Sequence, residues 1–459
     1  MITPPFWSPY SKRRTMAGNP CLGMRKLRAR ELIGLVRDAS ADHRLLRRTP
    51  FYSRDEMLAW QFSRIRAMIT HAYTRIPFYC SLYQRVGFQP GDLKSWDDFA
   101  KLPVIARDDV VANYPDSILD PHIPKDQLLI THGSGSSGKV IHVAYDLRVY
   151  SLFVAAAGRL YGMAFNYLPW HRQAYIAASP YSFPSFLGMY RSYFVHALAP
   201  MPQMIEALRR VKPNLLVCYP SILRQLAQRM SDQEIAGLPL KAVSVNSEMS
   251  CQRELDDWQQ LFSCPVLDDY ASEELTHLAA QCLHGTYHLF EDINYVEIVD
   301  DDGRPTTGAG TVTGTNLHNT AMPLIRYRQD DEGTIQDGVC ACGWRFRHLI
   351  DWQGRRNDSF TMPSGRVLSS GYLLDAMCEI TRAGGLRAFC LIQENTSSIC
   401  LKVVPSDSWS TQSEERTVAR FREFFEPQVG FRIEKVAECE RTSTGKQNPI
   451  ISRVSRQSQ

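Results

Sequence analysis

The chain has 459 residues, 44% apolar and 22% charged, with a formal net charge of only +4. That composition supports a sizeable core and excludes global disorder, and so small a charge gives no reason to expect a nucleic-acid partner. No run of about 18 uncharged apolar residues occurs, so no membrane span is expected, and the N-terminal MITPPFWSPYSKRR lacks the apolar core of a secretion signal. Twelve cysteines in such a chain read as reduced thiols of a cytoplasmic protein, most of them small buried hydrophobes such as Cys218 and Cys390. At roughly 150 residues per domain the length allows about three domains, or two if one is large.

The first fifty residues are basic and broken by Pro and Gly, with one candidate helix around MRKLRARELIGLVRDA. Ser53 and Glu56 form a capping box, Leu58, Phe62, Ile65 and Ile69 then share one helical face, and Pro77 ends that helix. From about residue 127, LLIT reads as a strand, GSGSSGK as a loop and VIHVAY as a second strand. Between 150 and 290, helical stretches (MPQMIEALRRV, YPSILRQLAQRM) alternate with apolar strands (LLVCY, KAVSV, PVLDD), which argues for an α/β domain with a substantial sheet. Strand-like YVEIVD and GTVTGTNL follow, separated by turn signals at Asp302-Gly303 and Gly308-Ala309-Gly310. Beyond about 358 lies a self-contained α+β pattern of roughly 100 residues: a hairpin, a helix, two strands, a helix and a strand.

Chemistry concentrates in three places. In Gly133-Ser134-Gly135-Ser136-Ser137-Gly138-Lys139, three glycines let backbone N–H groups converge, hydroxyls add donors and the lysine adds a charge suited to a polyphosphate. The spacing also satisfies G-x-x-x-x-G-K of a nucleotide P-loop. Val140 stands where that motif has its Mg²⁺-binding hydroxyl, however, and a strand-like segment follows where a P-loop opens a helix. Asp268-Asp269-Tyr270-Ala271-Ser272-Glu273-Glu274 combines carboxylates for a metal with an aromatic face for a base. Arg326-Tyr327-Arg328-Gln329-Asp330-Asp331 offers a carboxylate for ribose hydroxyls. An acidic turn and a surface charge pair are the plainer readings of these two.

Taken together and in this order, the three segments resemble those of the adenylate-forming superfamily of acyl-CoA synthetases. The resemblance extends to its phenylacetate–CoA ligase branch, including related capsule-biosynthesis-type proteins. It implies that Ser134, Gly135, Ser136, Ser137, Gly138 and Lys139 hold the ATP phosphates, with Val140 replacing the usual proline. Asp269, Tyr270, Ala271 and Ser272 would border the adenine and Glu274 would carry the Mg²⁺-linked carboxylate, with Ala271 in place of a glycine. Ser247 and Glu248 match the upstream Ser-Glu element of the adenine pocket. Asp331 matches the ribose-binding aspartate, preceded by Asp330 where the branch has glycine. Arg355 matches a phosphate-facing arginine in a hinge whose pivot aspartate is Asn357 here. Lys446, in Arg441-Thr442-Ser443-Thr444-Gly445-Lys446, matches the lysine that promotes adenylation.

By the same resemblance the fold is α/β: a large multi-subdomain N-terminal domain (1–356, with 1–50 a poorly defined basic extension) and a small mobile α+β C-terminal domain (357–459). The implied reaction is ATP-dependent activation of a carboxylic acid, aryl or arylacetic, to acyl-AMP with release of pyrophosphate, then transfer to CoA. The same scaffold also serves transfer to an amine or a carrier-protein thiol, or leaves AMP on the substrate. A degenerate nucleotide-binding relative is a further alternative. Aromatics at 181–186 and around Tyr219 are candidates for the acid pocket. Finally, Cys340-Ala341-Cys342-Gly343 has the form of a metal knuckle, and Cys282 with His288 would complete a tetrahedral Cys₃His zinc site of structural type, as in members of this branch. His284 is the alternative histidine.

Overall fold

The computed structural model describes residues 29–133, 140–179, 189–382 and 385–454. The expected phosphate-binding residues Ser134 to Lys139, the aromatic run 181–186 and most of the basic N-terminal extension therefore lie outside the described residues. Among the described residues no helix is long and apolar enough to cross a membrane.

Helix Arg54–Arg75 opens on the expected capping box, with Ser53 Oγ and Glu56 bonded reciprocally to each other's backbone N–H. Its buried stripe is Met57, Gln61, Ile65, Met68, Ile69 and Ala72: Ile65 and Ile69 lie on it as expected, whereas in the first turns Met57 and Gln61 take the buried row and Leu58 and Phe62 lie on its half-buried flank. The reason is polar. Gln61 Nε2 donates to the Glu291 carbonyl at 2.7 Å, which draws a glutamine into a row that hydrophobicity alone would not assign to it. The helix stops before Pro77, as expected, and a second helix, Pro77–Arg85, starts at that proline.

The centre of the molecule is an eleven-stranded mixed sheet. From Val266–Ser272 it runs in one direction through Ala242–Asn246, Leu215–Cys218, Arg172–Ala177 and Arg191–His196, all parallel. In the other direction come antiparallel pairings with Thr276–Gln281, Tyr287–Leu289, His348–Arg355, Tyr327–Gln336, Gly310–Asn316 and Asn294–Val299. The central parallel strands Leu215–Cys218 and Ala242–Asn246 are buried on both faces, which is why they read as apolar runs, whereas Arg191–His196 at the sheet edge is only half-buried. Leu215 and Val217 point into one core with helix Leu147–Ala164. Leu216 and Cys218 point into a second core with helices Met201–Val211, Pro220–Arg229 and Gln252–Phe262. Strand Val266–Ser272 is the seam between the two halves. In a sheet of this kind ligands collect beyond the carboxyl ends of the strands.

Strands Leu129–Gly133 and Ile141–Tyr145 pair antiparallel on either side of residues 134–139, so a strand follows the Gly/Ser segment, not the helix a P-loop requires. After residue 358 the chain builds a second, four-stranded sheet (Gly430–Lys435, Ser398–Pro405, Leu386–Asn395, Ile450–Ser452). Helices Ser370–Arg382 and Thr411–Phe424 cover it, and its own core includes Phe360, Leu373, Met377, Leu391, Leu401, Phe421 and Phe425. This is the α+β pattern read from the sequence, with the Phe360–Thr361/Val367–Leu368 hairpin at its start and one further strand, Ile450–Ser452, that the sequence reading did not include.

Candidate active site

The seam strand delivers its carboxylates to the cleft between the large lobe and this small one. Asp268 is buried and accepts from Ser250 Oγ (2.6 Å) and the Tyr287 hydroxyl (2.7 Å); burial pushes its carboxyl up to about 6. Asp269 is bonded to His277 Nδ1 at 2.9 Å. The Tyr270 hydroxyl donates to Asp331 Oδ2 at 2.6 Å, and its ring lies 4.7 Å from that of Trp352. Asp331 is placed opposite Arg355 in the neighbouring strand; burial raises its carboxyl to about 6 and the guanidinium opposes that rise. Glu274, also buried, accepts from the Tyr327 hydroxyl (3.0 Å) and lies 3.7 Å from Arg107 Nη2. Glu273 keeps contact with solvent, yet the crowded cleft raises its carboxyl, with Lys446 acting against the rise.

Lys446 arrives from the small lobe. Residues 442–446 close a turn in which Thr442 N–H donates to the Lys446 carbonyl at 2.9 Å. Gly445 is required there. Its φ is +81°, and a Cβ would stand 2.9 Å from the Ala197 Cβ of the large lobe. The Lys446 ammonium lies 5.6 Å from the centroid of the Tyr219 ring. Burial lowers its pKa, Glu273, Glu248 and Glu274 pull it back up, and Arg355 pushes with burial. Lys446, Glu273, Glu274, Asp331, Tyr270 and Arg355 thus meet in one cleft, although Lys446 is far from the others in sequence.

Two expected nucleotide contacts, Glu248 and Ser272, also hold partners within the protein. Glu248 accepts from Ser221 N (2.8 Å) and Ser221 Oγ (2.9 Å) at the start of helix Pro220–Arg229, and from Gln447 N (2.6 Å) of the small lobe. It clamps the lobes together next to Lys446. Ser272 Oγ accepts from Leu275 N at 3.0 Å, shaping the turn that presents Glu273 and Glu274. Ser247 is exposed, with a left-handed φ of +69°. Of the departures from the family pattern, Asp330 has φ +62° and so keeps the backbone a glycine would adopt, a conformation Asp tolerates better than most residues. Ala271 pairs with His277 just after a register shift in the strand but has no positive φ, so nothing in its φ demands glycine. The first arginine of the IRYR segment is no surface charge. Arg326 is 1% exposed and bonded to Glu297 (2.9 and 3.1 Å).

Arg107 and the Tyr327–Glu274 contact were missed by the sequence reading. Arg107 opens an ordinary helix (Arg107–Asn113), and nothing around it in the chain marks it. Only the fold shows that Gly133, the first residue of the Gly/Ser segment, sits against its guanidinium and Glu273.

Away from the cleft, the ligand atoms of Cys282, His288, Cys340 and Cys342 lie within 4.8 Å of one another. Cys282 and Cys340 sulfurs are 3.6 Å apart and Cys342 Sγ is 3.2 Å from His288 Nε2. Tetrahedral zinc with Zn–S near 2.3 Å needs ligand separations of about 3.8 Å, so the donor set fits the ion. His288 Nδ1 faces the Phe346 carbonyl at 3.4 Å, which leaves Nε2 for the metal, and burial lowers its pKa to about 4, so the ring is neutral. His284 is exposed, and only its backbone N–H reaches Cys282 sulfur.

No family model matches the chain. Among curated proteins, the phenylacetate-coenzyme A ligase of Thermus thermophilus is 23% identical over 333 residues, 66% of this chain and 72% of its own length. That of Escherichia coli (strain K12) is 26% identical over 339 residues, 69% of this chain and 75% of its own. The crystal structure of 2-hydroxyisobutyryl-CoA ligase in the postadenylation state, in complex with 2-HIB-AMP, superposes with a TM-score of 0.74 at 20% identity, over 88% of this chain and 92% of that one. The same ligase with 2-HIB-AMP and CoA in the thioesterification state gives 0.59 at 19% identity, over 88% and 91%. The chain therefore shares the fold of these CoA ligases, with large N-terminal and small C-terminal parts, and is similar in sequence to phenylacetate–CoA ligases.

Proposed function

We propose that the chain is an AMP-forming acid–CoA ligase: it joins a carboxylic acid to ATP as acyl-AMP, releasing pyrophosphate, and then transfers the acyl group to CoA. The observation that carries this reading is the entry of Lys446 from the small lobe into a cleft already lined by Glu273, Glu274, Asp331 and Arg355. Attack of a carboxylate on an α-phosphate brings two anions together, so a positioned cation acts where charge develops. Lys446 bridges the attacking carboxylate and the α-phosphate, Asp331 accepts from the ribose hydroxyls and the Tyr270 face borders adenine. Arg355 faces phosphate, and the Gly/Ser segment Ser134 to Lys139 is assigned the remaining phosphates. Glu274 would hold Mg²⁺, which supplies charge neutralisation to the polyphosphate when bound. The better superposition on the postadenylation form supports assigning this lobe arrangement to the first half-reaction.

The large domain then spans 1–356 and the small one 357–459, which turns about the segment 354–358 between half-reactions. The four-ligand Cys₃His cluster is a structural zinc site, since no ligand position is left for a substrate. A cytoplasmic setting fits the described cysteines, all free thiols. From Lys446 the acid's tail follows the phenols of Tyr219, Tyr175 and Tyr161, coupled to one another and to Glu273 and Asp269. At their far end the buried Gln173 amide has no well-directed hydrogen-bond partner, although it lies beside the Tyr161 hydroxyl. That suits an aromatic acid bearing a polar ring substituent better than bare phenylacetate.

The test is pyrophosphate release across a panel of aryl and aliphatic acids, with and without CoA. AMP and pyrophosphate with CoA-dependent thioester are expected. Acyl transfer independent of CoA would move the assignment to an amine or carrier-protein acceptor. Failure to bind ATP or to release pyrophosphate with any acid would make the chain a non-catalytic relative.

A further inference from the structure

One pair of thiols straddles the boundary between the lobes. Cys251 precedes helix Gln252–Phe262 of the large lobe, and Cys378 lies on helix Ser370–Arg382 of the small one. Their sulfurs and a Glu254 oxygen lie within 4.8 Å of one another. Both cysteines are buried, and Cys251 is packed inside the small lobe's own core beside Leu374, Met377 and Cys378. The other close thiol groups stay on one side of the boundary: Cys282, Cys340 and Cys342 form the knuckle, and Cys390 packs with Cys439 inside the small lobe.

We propose that Cys251 and Cys378 are an oxidative modification site, a reversible disulfide that fixes the small lobe in the position that holds Lys446 in the cleft. The functional consequence rests on the two-step reading above; the cross-link itself does not. A metal ion is the poorer occupant. The Arg224 guanidinium sits on the same Glu254 carboxylate at 2.6 and 2.7 Å and would repel a cation there.

The chemistry needs a peroxide and a moving lobe. In the closed arrangement both thiols are shielded, and the neighbouring Cys251 thiol with burial holds the Cys378 thiol up, so neither reacts. When the lobe turns away, one thiolate sulfur takes an oxygen from hydrogen peroxide; the peroxide O–O bond breaks, a two-electron reduction, and sulfenic acid forms. Closure brings the second thiol against that sulfur. The S–S bond forms, the S–O bond breaks, and the departing hydroxide leaves as water with the thiol proton. The second Glu254 oxygen, buried and without a hydrogen-bond partner, is placed to relay that proton. The sum is two thiols and one peroxide giving one disulfide and two waters. Because Cys251 and Cys378 lie on opposite sides of 354–358, the bond forbids rotation about that segment.

The experiment uses the full-length protein, treated with hydrogen peroxide during turnover, quenched with an alkylating agent and digested without reduction. A Cys251–Cys378 linked peptide, abolished by dithiothreitol, is expected in mass spectrometry. The oxidised protein should release pyrophosphate for a first turnover as the reduced one does, while thioester formation from supplied acyl-AMP and CoA falls at least tenfold. Cys378→Ser, and independently Cys251→Ser, which places a good capping residue before its helix, should keep both half-reactions after peroxide. Absence of the linked peptide overturns the site, and its presence with undiminished thioester formation overturns the lock. Equal inactivation of Cys378→Ser also overturns it, as does a second metal ion per chain that disappears in that variant. A reduced protein that releases no pyrophosphate with any acid overturns the functional reading, and the peptide still decides the cross-link.

Discussion

Two sets of carboxylates around the same sheet have opposite electrostatics. At the back of the large lobe each acid brings its own cation. Glu291 is bonded to Arg54 (2.8 Å) and Arg347 (2.7 Å), and Asp292 to Arg159 (2.5 and 2.9 Å). The two arginines hold the Glu291 carboxyl below its usual range despite burial. In the cleft, Asp268, Asp331 and Glu248 are bonded mostly to hydroxyls and backbone N–H groups, and burial holds all three carboxyls up. The first set is a closed structural unit. In the second, Arg355 and, from the other lobe, Lys446 offset only part of the effect of burial. A buried acid with its own arginine braces the fold, whereas one held by neutral donors is poised for an incoming cation or ligand.

Removing a cation from each set separates these roles. Arg347→Ala leaves Glu291 buried with half its compensation and should cost about 3–5 kcal/mol in urea unfolding, with no selective effect on chemistry in the protein that remains folded. In the cleft, Lys446→Ala should lower pyrophosphate release by about 10²–10³-fold while leaving the unfolding midpoint nearly unchanged and sparing thioester formation from supplied acyl-AMP. Wild-type-like adenylation in that variant would remove the assigned role, and a large stability loss would place Lys446 among the structural cations.

The knuckle gives the next effect. Cys340→Ser should take zinc from about one ion per chain to near none by metal analysis, with a lower thermal midpoint. A wild-type protein that carries no stoichiometric zinc would remove the site.

Asp331 provides a pH test. Its folded carboxyl titrates near 6, above the ordinary value of 3.8, so it favours the fold fully below pH 4 and that contribution is lost as pH rises from about 4 to 6. Ribose hydroxyls need the ionised form as acceptor. AMP affinity by calorimetry should therefore weaken as pH falls through 6, by up to about tenfold per unit below it. Asp331→Asn should bind weakly with no such slope, and an unchanged slope in that variant would assign the titration to another group.

What could be read in the chain divides along the range of the interactions. The capping box at Ser53 and the parallel strands around Leu215 and Val243 are local patterns, and the structure contains both. C-x-C-G is local too, but its pairing with Cys282 and His288, more than fifty positions upstream, drew on the resemblance, and the structure brings the four together. The nucleotide residues were legible only through resemblance, because DDYASEE on its own looks like any acidic turn. Contacts such as Arg107–Glu274, Glu248–Gln447 and Cys251–Cys378 were not legible. They arise where the two lobes, or the ends of distant strands, happen to meet, and nothing in their immediate sequence distinguishes them. Gln61 shows the same limit within one helix, since a carbonyl 230 positions away decides which row is buried.

The smallest effect probes the acid that belongs to neither set. Asp330 is exposed and burial of its carboxyl is partial, yet it stands beside Asp331 in a left-handed conformation at the end of the cleft. If its role is only to hold that backbone, Asp330→Gly exchanges strain of about 1 kcal/mol for a similar gain in unfolded-chain entropy. Stability should then shift by less than about 1 kcal/mol and pyrophosphate release by less than about twofold. Asp330→Val, β-branched at φ +62°, should be clearly destabilising at the same position. A glycine variant that instead loses tenfold or more in AMP affinity with its fold intact would show that the carboxylate acts on the nucleotide, and Asp330 would join the poised acids of the cleft.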